Sequence, residues 1–119
     1  MAKLPATAFF LAFIGASPVW ADGFDPVRDQ QEFVSLIDGR NLKRTGITLV
    51  VTPDGQITGR ALGRSVSGAW RWQSGYFCRD LAWGSRDLGP NCQEVKVRGS
   101  TLRFTSDRGT GDSAEFALQ

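Results

Sequence analysis

The residues able to do chemistry in this chain are few, and the missing types exclude more than the present ones offer. No histidine occurs among the 119 residues. The commonest general base and commonest metal ligand are therefore absent, and neither a Ser-His-Asp nor a Cys-His arrangement can be built. Cys78 and Cys92 are the only cysteines; they are not spaced as C-x-x-C, and no second pair exists to complete a zinc site, so no metal is expected. Asp80, Asp87 and Glu94 are acids grouped around the same segment. Two carboxyls held ~5 to 9 Å apart would suffice for glycoside hydrolysis. Arg79 and Arg86 stand beside Asp80 and Asp87, however, and ion pairing is the simpler expectation. The runs Gly59-Arg60-Ala61-Leu62-Gly63 and Gly109-Thr110-Gly111 do not sit between a parallel strand and a helix, as a phosphate-cradling loop requires. No catalytic residue and no cofactor is expected.

Aromatic clustering is the stronger lead. Trp70, Trp72, Tyr76, Phe77 and Trp83 fall within 14 residues, with Arg79 and Arg86 among or beside them. Large rings next to guanidinium groups are the side chains enriched in binding hot spots. Trp70, Trp72, Tyr76, Arg79, Trp83 and Arg86 are accordingly the candidate ligand-binding residues. The competing expectation is ordinary core packing, because a small β domain needs bulky filling.

These residues must be positioned by a small domain. Met1-Ala2-Lys3, an apolar run from about Leu4 to Ile14 and Val19-Trp20-Ala21 have the pattern of an export signal cleaved after Ala21. Residues 22 to 119 would then be one domain in the periplasm or outside the cell, where Cys78 and Cys92 are expected to form a disulfide. The chain holds 14 basic and 12 acidic residues; loss of Lys3 leaves 13 basic and a net charge of +1. Eleven arginines are spread from Arg28 to Arg108 rather than run together, which argues against nucleic acid. No second apolar run is long enough to span a bilayer, so a soluble monomer is expected after cleavage.

One helix is readable. Asp29 with Glu32 forms an N-terminal capping signal, Phe33, Leu36 and Ile37 recur at helical spacing, and Gly39 suits a left-handed C-terminal cap; the helix should run from Gln30 to Asp38. Residues 22 to 28 read as an irregular lead-in. From Ile47 onward the sequence reads as seven strands: Ile47 to Thr52, Gln56 to Arg64, a third bearing Val66, Gly68, Trp70 and Trp72 on one face, Tyr76 to Trp83, Cys92 to Arg98, Thr101 to Thr105 and Ala114 to Leu118. A loop from Gly84 to Pro90 is expected between the fourth and fifth, which fold back about residue 85 so that Cys78 faces Cys92. Consecutive hairpins that hide their edges predict a mostly β fold, an antiparallel up-and-down barrel-like or sandwich domain with one short helix at its start.

Gly68-Ala69-Trp70-Arg71-Trp72, Tyr76-Phe77-Cys78-Arg79-Asp80-Leu81, Asn91-Cys92-Gln93, Leu102-Arg103-Phe104 and Gly109-Thr110-Gly111 together resemble a family of small exported proteins of alphaproteobacteria, Rhodobacter relatives especially. Some members carry the name dihydrodipicolinate reductase. The residues here include no G-x-G-x-x-G opening a helix and no histidine acid. The Gly-x-Trp at a strand start is also similar to lipocalin-like and avidin-like barrels. The expected function is binding of a small ligand or a cell-envelope protein. The alternatives are an enzyme, either a hydrolase using Asp80, Asp87 or Glu94 or a reductase as the name implies, and an interaction module presenting Ser85 to Pro90.

Overall fold

The computed structural model describes residues 22–119. The export signal and its cleavage site lie outside the described residues. The chain forms β1 (Asp25–Pro26), α1 (Gln30–Ile37), β2 (Asn41–Arg44), β3 (Ile47–Val51), β4 (Gln56–Ala61), β5 (Arg64–Gln73), β6 (Tyr76–Trp83), β7 (Arg86–Arg98), β8 (Thr101–Thr105), a helical turn α2 (Ser106–Gly109) and β9 (Ser113–Leu118). Strands β2 to β9 pair antiparallel, each with its neighbour in sequence. Pairing of Leu42 with Leu118 and of Lys43 with Ala117 then joins β2 to β9. The result is a closed eight-stranded up-and-down barrel. Closure removes the sheet edges that an open meander would leave unpaired. β1 adds a short extra strand to β7, through Asp25 opposite Val97 and Pro26 opposite Lys96.

The helix begins as its capping residues require. The Asp29 carboxylate accepts from the Glu32 N–H at 2.8 Å, and the Glu32 carboxylate accepts from the Arg28 N–H at 3.2 Å. Asp38 is the C-terminal cap and Gly39 follows at φ +75°. Eight residues are too few for a stable isolated helix, so α1 depends on what it covers. Phe33 and Ile37 are fully buried, and the Phe33 ring lies 5.1 to 5.2 Å from the centres of Trp70, Trp72 and Phe77. α1 thus closes one end of the barrel with a single aromatic plug.

Three differences from the sequence reading have physical causes. There are nine strands rather than seven, because β1 is two residues long and β2 holds one buried apolar residue, Leu42, so neither shows alternation. The second strand stops at Ala61 instead of Arg64: Leu62 and Gly63, at φ +51° and +83°, form the hairpin turn. Both central residues of such a turn need positive φ, where Asn-Gly is the usual signal and Leu hides it. Finally, the expected loop from Gly84 to Pro90 is mostly strand. β6 and β7 are joined by Gly84 and Ser85 alone, and Arg86 already pairs with Trp83. Pro90 is tolerated because this half of β7 has a strand neighbour only on the β6 side.

The β6–β7 register explains the disulfide. Near the turn, Ala82 opposes Asp87, but Leu81 opposes Gly89, leaving Leu88 as an extra bulged residue. That single insertion shifts the pairing so that Cys78 opposes Cys92, and the two are bonded across the strands. In the chain-entropy picture a loop of this length confers about 3 kcal/mol. The double substitution Cys78→Ser, Cys92→Ser is therefore expected to lower unfolding stability by about 3 kcal/mol in urea titration. An unchanged midpoint would show that the barrel sets this register without the bond.

The outer face of β8 is held to the start of the described chain. Arg103 pairs with Glu115 at 3.1 Å and with Asp22 at 3.2 Å, and its guanidinium carbon lies 3.8 Å from the centre of the Phe24 ring. The Phe24 N–H and then Arg103 stabilise the ionised Asp22 carboxyl and hold its pKa below the usual carboxylate range. Among the described residues no helix is long and apolar enough to cross a membrane.

Candidate ligand cavity

Strand alternation sets which side chains face the interior. On β6, Phe77, Arg79 and Leu81 point inward while Cys78 and Asp80 point outward; on β7, Gln93 and Val95 continue the inner row. The core residues next to α1 fill their end of the barrel. Beyond Phe77 and Phe104 the interior remains open as a cavity of about 260 Å³. Leu42, Leu49, Val51, Ile57, Leu81 and Phe116 make most of its wall apolar. Arg79 and Gln93 are the polar side chains set into that wall, with Ser106, Asp112 and Ser113 completing the lining.

Arg79 is the unusual member. It is partly buried, and one terminal nitrogen, Nη1, donates to the Gly89 carbonyl at 2.8 Å. Among the described residues the ion pairs are those of Arg103, so no carboxylate is within salt-bridge distance of Arg79. Burial pushes its pKa down and the nearby Asp80 charge opposes that shift; the group stays protonated because an arginine starts so high. A guanidinium carries five N–H donors in a planar fork. Here the backbone accepts from one of them, and the side chain borders the cavity while remaining partly exposed.

The segment from Ser106 to Asp112 covers the flank of β7 that β8 leaves unpaired. Asn91 and Asp107 exchange two hydrogen bonds, Nδ2 donating to Oδ1 of Asp107 at 2.8 Å and Oδ1 accepting from the Asp107 N–H at 3.0 Å. Gln93 Nε2 donates to Ser106 Oγ at 3.2 Å. The segment closes on itself through Ser106 N–H to Asp112 carbonyl and Gly111 N–H to Ser106 carbonyl, each 2.9 Å. Asp107 and Arg108 hold φ of +56° and +54°, backbone conformations that cost a non-glycine residue about 1 to 2 kcal/mol. Such strain persists only where the surroundings impose it, and it concentrates at ligand clamps and switch regions.

The six candidate binding residues separate in space. Arg79 lines the cavity. Trp70 and Trp72 belong to the closed end, where both pack on Phe33; Trp70 Nε1 donates to the Thr52 carbonyl at 2.9 Å, whereas Trp72 Nε1 is buried without a partner among the described residues. Trp83 is partly buried, its Nε1 donating to the Ala61 carbonyl at 2.8 Å beneath the Arg64 guanidinium. Tyr76 lies under Arg108 at 5.7 Å, and Arg86 is exposed at the Gly84–Ser85 turn. Of the six, Arg79 alone lines this cavity, and the six do not share one surface. Asp80 and Asp87 are exposed and Glu94 is partly buried; none of the three lines the cavity, and Asp87 Oδ1 instead accepts from the Gly89 N–H at 2.9 Å within the bulge.

Gln93 and Ser106 were not among the candidates. Gln93 shares the inward parity of Val95 and Val97 and was legible on that count; Ser106 and Asp112 reach the cavity through a turn whose course no local pattern reveals. Among the described residues no group of His, Cys, Asp and Glu is placed to hold a metal ion. The chain is by architecture a small closed up-and-down β-barrel with an internal cavity. Comparison with protein-family models, with curated proteins and with solved structures finds no match to it.

Proposed function

We propose that the chain is exported, loses residues 1 to 21, and works in the periplasm as a small-molecule-binding barrel. The resemblance of the segments from Gly68 to Gly111 noted above to small exported alphaproteobacterial proteins is in keeping with that place, as is the disulfide. The observation that carries the reading is the cavity between the aromatic plug and the Ser106–Asp112 segment, apolar with a few convergent polar groups. That combination is the usual composition of a ligand pocket, and about 260 Å³ lies just under the ~300 to 1,000 Å³ range of such sites, which favours a compact ligand. The cavity lies within one chain, so binding requires no second copy.

The test uses the full chain expressed with its own leader and recovered from the periplasm. An intact mass beginning at Asp22 is expected. Titration with the neutral apolar fluorophore N-phenyl-1-naphthylamine should then give saturable binding at one site. Leu49→Trp, which fills the cavity from its wall, should abolish that binding while leaving the circular dichroism spectrum unchanged. Absence of saturable binding to the native protein, or equal binding by the filled variant, would sink the proposal.

A further inference from the structure

Resting on the reading of the cavity as a ligand site, we infer that its ligand is an apolar monoanion, a compact carboxylic acid whose carboxylate pairs with Arg79.

A guanidinium partly withdrawn from water loses hydration that a fixed hydrogen-bonding partner or counter-ion restores. Arg79 has a partner for one donor, the Gly89 carbonyl, and no carboxylate at salt-bridge distance among the described residues. Its planar fork matches a carboxylate in a bidentate arrangement, which a neutral hydroxyl or amide does not reproduce. Gln93, nine-tenths buried, lines the same cavity and is already bonded to Ser106, so a second polar anchor adjoins the first. Leu42, Leu49, Val51, Ile57, Leu81 and Phe116 make up most of the remaining wall, which suits an apolar body.

Asp112 restricts the charge further. It contributes to the lining and is exposed, so an acid borders the same space as Arg79. A single guanidinium beside an acid suits one negative charge better than the two of a phosphate monoester. A cationic ligand would meet Arg79 inside the wall. The cavity chemistry thus selects an apolar body with one carboxylate, whether that body is an alkyl chain or an aromatic ring.

Displacement of N-phenyl-1-naphthylamine from the periplasmic protein by octanoate, 3-phenylpropanoate, octan-1-ol and octylamine tests this. At least one of the two acids should displace the probe at a concentration about tenfold below octan-1-ol, the effect expected of a charge-assisted pair, and octylamine should be weakest. Which acid is the better distinguishes chain from ring. In Arg79→Gln, which retains a donor for the Gly89 carbonyl, the advantage of that acid over octan-1-ol should be lost, the two displacing the variant's own bound probe at similar concentrations.

If both acids and the alcohol bind the native protein alike, the ligand class is wrong although the cavity reading stands; this comparison does not need the variant to fold. If an acid keeps its advantage in a folded Arg79→Gln protein, its carboxylate is held elsewhere and the role of Arg79 is overturned. If the probe itself does not bind, the cavity reading fails and this inference fails with it.

Discussion

Phe33→Ala is expected to lower unfolding stability by about 3 to 5 kcal/mol, the range for removing a fully buried phenylalanine. Phe33 is wholly buried, and its ring meets Trp70 and Phe104 edge-on, Trp72 in a stack and Phe77 at a tilt. These rings come from β5, β6 and β8, so one side chain of an eight-residue helix joins three strands of the barrel. Truncation leaves a cavity whose rigid aromatic walls cannot easily collapse. It also removes the main reason for α1 to form, since a helix this short draws its stability from packing. For a domain of this size, with total stability near the low end of ~5 to 15 kcal/mol, such a loss approaches the whole margin. Urea titration followed by tryptophan emission measures it. A cost below about 1 kcal/mol would show that α1 is a detachable cover rather than part of the core.

The second large effect is expected from Gly59→Ala, at about 4 kcal/mol or more, the scale reached only when a specific structural feature is broken. Gly59 holds φ +146°, and a Cβ added there would lie 2.1 Å from the Thr48 carbonyl oxygen and 2.9 Å from the Leu49 Cα. Both obstacles are backbone atoms of β3, the paired strand, with Gly59 opposite Leu49. No side chain can swing away to make room, so β3 and β4 must separate where the barrel coils tightly. Gly63→Asn is the matching control: Gly63 is a turn residue at φ +83°, a Cβ added to it would meet nothing within 4 Å, and asparagine tolerates that conformation. Its expected cost is below about 1 kcal/mol. Similar midpoints for the two variants, measured by thermal unfolding, would contradict close strand approach as the reason for the glycine.

The disulfide and the cavity are linked through the same hairpin. Cys78 and Arg79 are consecutive on β6, so the bulge at Leu88 that brings Cys92 opposite Cys78 also sets Asn91 opposite Arg79 and Gly89 within reach of its guanidinium. Without that one-residue insertion the inward and outward rows of β7 would exchange places relative to β6. Gln93 and Val95 would then leave the interior. The cross-strand bond therefore braces the register on which the cavity-facing row depends.

What the sequence by itself determined was everything governed by neighbours along the chain. Asp29, Glu32 and Gly39 mark the helix because capping is a matter of three or four adjacent residues, and the observed helix lies within one residue of its expected end. Alternation in β3, β5, β6 and β8 was legible because each has several apolar residues on one face. The placement of Cys78 and Cys92 on either side of residue 85 also pointed to their bond, although the Leu88 bulge that brings them opposite each other had no local signal. The parity of β6 even put Arg79 in the row of Phe77 and Trp83, although a charge in that row reads naturally as solvent-facing.

Only the tertiary structure decided that the meander closes. That step depends on Leu42 meeting Leu118, residues at opposite ends of the domain with no local signature of their pairing. Closure turns one face of every strand into an interior, and thereby converts Arg79 from a surface cation into a group within a cavity. It also assigns the tryptophans their different places, since a ring packed on Phe33 and a ring beneath Arg64 have the same strand propensity. Positions within a strand are set by local alternation; which strands meet, and what they enclose, is set by contacts between residues far apart in the chain.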